Sequence, residues 1–138
     1  MRYLSRREYS SSELRQKLRH KGYSEAMVEQ VVADLAAEGF QSDSRFAEVF
    51  VRSRVEKGYG AYWIREELRQ RGVDIEEALE KERNWDELVR KVYIKKYGET
   101  IPDSLEQRAA RERFLRRRGF ESDHIRRLFK RLRHPGGE

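Results

Sequence analysis

One pattern is written three times in this chain: Leu-Arg-x-[Lys/Arg]-Gly followed by a bulky residue. The copies are Leu18-Arg19-His20-Lys21-Gly22-Tyr23, Leu68-Arg69-Gln70-Arg71-Gly72-Val73 and Leu115-Arg116-Arg117-Arg118-Gly119-Phe120. Their glycines stand 50 and 47 residues apart (72 − 22 and 119 − 72). A period of that size marks a repeated structural unit. Each copy also reads as a helix ending. The leucine packs inward, the basic residues face the negative end of the helix dipole, and glycine supplies the left-handed residue that closes the last turn. The third copy, with three consecutive arginines, exceeds what a cap requires.

Helix-start signals lie between these endings. Ser10-Ser11-Ser12-Glu13, Asp74-Ile75-Glu76-Glu77, Asn84-Trp85-Asp86-Glu87 and Asp103-Ser104-Leu105-Glu106 each set a capping side chain three residues before a glutamate. Ser24 and Ser42 provide two further caps. Apolar residues recur at helical spacing, as in Val28/Val31/Val32/Leu35, Phe46/Val49/Phe50 and Ile125/Leu128/Phe129/Leu132. No segment alternates with period two, so the expected class is all-α. Helices are predicted near 2–9, 11–21, 25–38, 43–57, 61–71, 75–83, 85–97, 104–118 and 122–133. They group into three tandem three-helix repeats at 1–40, 41–83 and 84–133, with a frayed tail at 134–138. Such units stack as an elongated, solenoid-like array of right-handed helices, in which each covers only its neighbours. The first helix is expected to be short or truncated.

Composition narrows the function. The chain has 138 residues, 37% hydrophobic and 41% charged, with no cysteine. Disulfides and thiolate metal sites are thereby excluded. No apolar run approaches the ~18 residues of a membrane span and no secretory signal opens the chain, so a cytoplasmic protein is expected. The net charge of +6 is unevenly placed. Residues 1–41 hold 7 Lys/Arg against 6 Asp/Glu, residues 42–83 hold 9 against 10, and residues 84–138 hold 15 against 9. The excess therefore sits in the last third, where a polyanion is attracted most strongly.

The candidate binding residues follow from that excess: Arg108, Arg111, Arg116, Arg117, Arg118, Arg126, Arg127, Lys130 and Arg131. Arginine's planar fork suits phosphate and carboxylate oxygens. Phosphate contacts carry no sequence information directly, so base-specific reading is not predicted. Arg65, Arg69, Arg71 and Tyr59 are secondary candidates. The aromatics Tyr59, Tyr62 and Trp63 flank the tight connection Lys57-Gly58-Tyr59-Gly60. They could stack on bases, but sealing the join between modules is the favoured reading. That connection lacks the Gly-Lys-Ser/Thr and the strand of a nucleotide-binding loop. His20, His124 and His134 are scattered among cations, and the carboxylates follow capping and surface patterns. No catalytic site, metal, cofactor or small-molecule substrate is expected.

The stretch Glu38-Gly39-Phe40-Gln41-Ser42-Asp43-Ser44-Arg45-Phe46-Ala47 leads to Arg52-Ser53-Arg54, Lys57-Gly58-Tyr59-Gly60 and Ile64-Arg65-Glu66-Glu67-Leu68-Arg69-Gln70-Arg71-Gly72. This order resembles the RecX family, regulatory proteins of the bacterial recombinase RecA. Lys95-Lys96-Tyr97-Gly98-Glu99 and Arg113-Phe114-Leu115-Arg116-Arg117-Arg118-Gly119-Phe120 are similar to the family's third module. The resemblance implies a curved, elongated monomer of tandem three-helix repeats. It further implies binding to RecA filaments on single-stranded DNA, inhibiting filament extension, strand exchange, ATPase and coprotease activity. Only Met1 to Tyr9 precede the first Ser-x-x-Glu-Leu, fewer residues than the family pattern. The alternative is a free-standing DNA-binding protein using its units as helix-turn-helix modules, although no unit offers an obvious set of base-reading side chains.

Overall fold

Each copy of the repeated pattern ends a helix with the same pair of hydrogen bonds. In the computed structural model, which describes residues 7–74, 79 and 84–134, Gly22, Gly72 and Gly119 have φ of 94°, 75° and 97°. Their N–H groups donate to the carbonyls of Arg19, Arg69 and Arg116 at 2.9, 3.0 and 2.9 Å. The next residues, Tyr23, Val73 and Phe120, donate to Leu18, Leu68 and Leu115 at 3.2, 2.9 and 3.1 Å. These bonds satisfy carbonyls that a helix end leaves open. Val73 and Phe120 fold back into the core, whereas Tyr23 remains 50% exposed. The same closure recurs at Gly39 and Gly58, where Phe40 and Tyr59 donate to Leu35 and Arg54.

Seven helices are present among the described residues, and no strand: α1 (Ser11–His20), α2 (Glu25–Ala37), α3 (Asp43–Glu56), α4 (Ala61–Gln70), α5 (Trp85–Tyr97), α6 (Leu105–Arg117) and α7 (Ser122–Arg133). Residues 7–10 are not helical, so the helix predicted over 2–9 is absent from its described part, residues 7–9. The extended backbone of Ser10 (φ −73°, ψ 158°) is committed to capping α1, and Tyr9 is held in the core. The rest of that prediction, the predicted helix over 75–83 apart from Leu79, and most of the tail lie outside the described residues.

Three of the predicted caps form as expected, one makes no side-chain bond and one is shifted by a residue. Ser10 and Glu13 form the reciprocal capping box, and the Ser24 and Ser42 hydroxyls accept from the N–H groups of Met27 and Arg45. Asn84 makes no side-chain cap bond, because its backbone (φ −105°, ψ 52°) is not in the extended geometry a cap needs. The cap of α6 is Ser104 rather than Asp103; its hydroxyl accepts from Gln107 N–H, and the Gln107 side chain reaches back to Asp103 N–H.

Buried side chains form three separate clusters along the chain. The first holds Tyr9, Leu14, Leu18, Val28, Val32 and Leu35. The second is built on Phe46, Phe50, Ile64, Leu68 and Val73 and includes Leu79. The third is built on Tyr93, Leu115, Phe120, Ile125, Leu128 and Phe129. Trp85 packs against both the second and the third. Val49, placed on the buried face of α3 by its spacing, is 40% exposed.

The modules are joined by seams that reuse the glycine turns. At the first seam the Arg71 carbonyl accepts from the Ser10 hydroxyl at 2.8 Å, and Gly72 lies so close to Ser12 that an added Cβ would meet its Cβ at 2.5 Å. Asp43 accepts from Ser11 N–H (2.8 Å), the Ser11 hydroxyl (3.1 Å) and the Gln41 amide (2.9 Å). At the second seam Gly60 N–H donates to the Arg118 carbonyl (2.7 Å) and Tyr62 N–H to the Gly119 carbonyl (2.9 Å). A Cβ on Gly60 would meet the Gly119 carbonyl group at 2.6 Å. The turn after the middle helix of one module thus receives the start of the middle helix of the module before it.

Candidate functional site

The basic side chains of the third module divide by what they touch. Arg111 donates to the Tyr93 hydroxyl (2.8 Å) and the Thr100 hydroxyl (3.2 Å), and lies 4.6 Å from the Tyr97 ring centre. It ties α6 to the end of α5. Arg108 lies over the Phe129 ring and pairs with Glu112 one turn along α6 at 3.0 Å. Arg118 donates to the Lys57 carbonyl (3.2 Å) and lies over the Tyr59 ring, so it belongs to the second seam. These three guanidiniums are already engaged by the fold.

A second group is exposed. Arg116 and Arg117 at the end of α6 and Lys130 on α7 are open to solvent and make no ion pair or hydrogen bond with a described side chain. Arg126 is exposed but pairs with Asp123, and Arg131 lies 3.9 Å from Glu87. Arg127 bridges to Asp86, both carboxylate oxygens accepting from its Nε at 3.1 Å. His124 Nδ1 lies 2.8 Å from the same carboxylate. Burial pushes the Asp86 carboxyl up, but the hydrogen bonds from His124 and Arg127 outweigh it and hold the group below the usual carboxylate range. The cluster clasps the start of α5 to α7. Among the described residues, no group of three or more His, Asp or Glu is arranged to hold a metal ion.

The secondary candidates are mostly consumed by packing. Tyr59 stacks on Trp63, with ring centres 3.8 Å apart and planes at 16°, and Arg118 covers it. Arg71 pairs with Glu67 (3.0 Å) and lies over the Phe50 ring. Arg69 pairs with Glu66 (2.9 Å) and Arg65 lies 3.8 Å from Glu121. Tyr62, read as sealing the join, is 58% exposed. It lines a shallow hollow with Arg116, Phe120 and Glu121, because Trp63 and Tyr59 fill the seam first.

Lys57, Lys91, Lys95 and Lys96 were not among the candidate binding residues, yet they converge on a cleft between α3, α5 and α6. The i, i+4 spacing of Lys91 and Lys95 was the available signal. Their approach to Lys57 depends on how two modules meet.

Three family models match consecutive stretches: the first three-helix domain of RecX over 1–35, the second over 42–79 and the third over 85–129. The regulatory protein RecX of Halorhodospira halophila is 44% identical over 130 residues, which cover 91% of this chain and 81% of the relative. The chain belongs to the RecX family. Other RecX relatives agree: the regulatory protein RecX of Pseudomonas putida KT2440 is 45% identical over 93% of this chain and 85% of its own length. That of Legionella pneumophila is 37% identical over 96% and 91%. Two solved structures share the fold. A crystal structure of regulatory protein RecX superposes with a TM-score of 0.78 at 26% identity, covering 93% of this chain and 66% of that one. RecX from Lactobacillus salivarius gives 0.83 at 22% identity, covering 96% and 90%. No described helix of this RecX chain is long and apolar enough to cross a membrane.

Proposed function

We propose that this chain is a non-enzymatic modulator of the recombinase RecA that binds the RecA–single-stranded DNA filament. It inhibits filament extension, strand exchange, ATPase and coprotease activity. The observation that carries this reading is family membership across nearly the whole chain, among relatives named regulatory protein RecX. The placement of the basic residues supports it: Arg116, Arg117 and Lys130 face solvent without an ion-pair partner among the described residues. Modules at 1–40, 41–83 and 84–133 act as one cytoplasmic monomer. Hydrogen-bonded seams hold them together as they span successive filament subunits, while the arginines of the last module approach DNA phosphates or acidic protein surface.

The test is co-sedimentation with preassembled RecA filaments on single-stranded DNA, beside the same DNA alone, over a salt series. Tight association with filaments and weak association with naked DNA is the expected result. Equal binding to both with a steep salt dependence would replace it with simple DNA binding.

A further inference from the structure

The cleft of about 490 Å³ at the second seam combines two properties that the proposed arginine face does not. Its floor is apolar, supplied by Val55 from α3, Leu88 and Val92 from α5, and Phe114 from α6. Its rim is cationic. Lys57, Lys91 and Lys95 are exposed and form no ion pair with any described carboxylate. Glu56 is the acid that also lines the cleft. We infer that this cleft is a docking site for an acidic protein segment that buries an apolar side chain between the second and third modules.

Charge complementarity sets the sign of the partner. Ammonium groups that pair with no described carboxylate, gathered around an apolar floor, attract carboxylates more strongly than the same groups spread over open surface. The floor sets the class. A nucleic acid strand would need a free aromatic face for its bases, and Phe114 offers none. Lys96 Nζ lies 3.9 Å from its ring centre, Arg118 lies 5.5 Å away, and the Tyr97 ring meets it edge to face at 5.9 Å. A phosphate backbone alone would leave Val92 and Leu88 wet. An acidic segment with a leucine or phenylalanine covers the floor and neutralises the rim together, in a volume typical of ligand clefts. Occupancy would also brace the seam, since Gly58 and Arg118 line the same space.

The inference deepens the proposed regulator role by naming a partner chemistry, and its test works without filaments. The probe is a fluorescein-labelled synthetic peptide rich in glutamate with leucine and phenylalanine side chains. Its comparators are the same peptide with serine at the apolar positions, and an oligothymidylate of equal charge. Anisotropy is expected to show binding that the serine peptide weakens about tenfold. The double variant K91E/K95E should also weaken it about tenfold, while R116E/R117E leaves it unchanged. Hydrogen exchange at the Gly60 and Tyr62 amides should slow when the peptide is bound. If K91E/K95E binds the peptide as the unaltered chain does, with melting curves showing both folded, the site is wrong. Displacement of the peptide by oligothymidylate in proportion to charge would equally overturn it. A K91E/K95E chain that loses the peptide but keeps filament binding supports the cleft and places the filament contact elsewhere. Failure of the unaltered chain on filaments, with peptide binding intact, overturns the proposed function and leaves the cleft standing.

Discussion

At the residue scale, the two outer copies of the repeated glycine do different jobs despite sharing a conformation. Gly22 (φ 94°) has nothing within 4 Å of where a Cβ would stand, whereas a Cβ on Gly119 (φ 97°) would meet Trp63 Cβ at 2.4 Å and its backbone nitrogen at 2.5 Å. Gly22→Ala should therefore cost only the left-handed backbone penalty, about 1 kcal/mol. Gly119→Ala adds a clash against backbone that cannot step aside, for about 2–4 kcal/mol. Urea denaturation of both variants checks this, and equal losses would show that the second seam yields freely. The arginines divide in a similar way. Arg118 is occupied by the Lys57 carbonyl and the Tyr59 ring, while Arg116 and Arg117 pair with no described carboxylate. The identity of the three residues gives no hint of this; their positions around the last turn of α6 decide it.

At the scale of elements, two carboxylates hold helices of different modules or different ends together. Asp43 at the start of α3 satisfies Ser11 N–H in the first turn of α1, as well as the Ser11 hydroxyl and Gln41. Asp43→Ala leaves those donors without their acceptor and should cost about 1–3 kcal/mol. Limited proteolysis should then cut first within α1 or α2, since the neighbouring cores are separate. Asp86 clasps α5 to α7 through His124 and Arg127. Its folded carboxyl is held below its ordinary value, so its stabilising effect is present above the ordinary carboxylate pKa of about 3.9 and is lost as pH falls through the folded value. With 39% of its side chain exposed, solvent screening limits that effect to about 0.5–1 kcal/mol. Asp86→Asn should lower stability by this amount at pH 7, and the difference should fade below about pH 4. A difference that persists at acid pH would make the clasp a matter of shape and not of charge.

At the scale of the whole molecule, separate cores and close seams explain how a chain with 37% hydrophobic residues holds its three modules together. Each module closes its own small core, and the seams add polar and backbone contacts between them. The exposed arginines can then change without disturbing the fold. Arg116→Glu with Arg117→Glu should leave urea stability within about 0.5 kcal/mol. The same change should weaken filament co-sedimentation about tenfold and flatten its salt dependence. Adding Arg118→Glu would confuse the experiment, because that side chain belongs to the seam. Unchanged filament binding in the double variant would remove the end of α6 from the proposed surface.

The repeat period, the positions of the seven described helices and the glycine closures were legible in the sequence, because helix ends and caps depend on residues within about two turns of one another. Ser10, Ser24 and Ser42 announced their helices for the same reason. Asn84 failed as a cap because the backbone entering α5 overrode a local preference. What only the tertiary structure decided lies where modules meet. The partial burial of Tyr59 and exposure of Tyr62, the capture of Arg111 and Arg118 by packing, and the gathering of Lys57 with Lys91 and Lys95 all arise there. The sequence by itself determined how each helix begins and ends, because those bonds are local. Which charges remained free was settled by contacts between residues some 18 to 61 positions apart, a separation at which pattern carries no geometry.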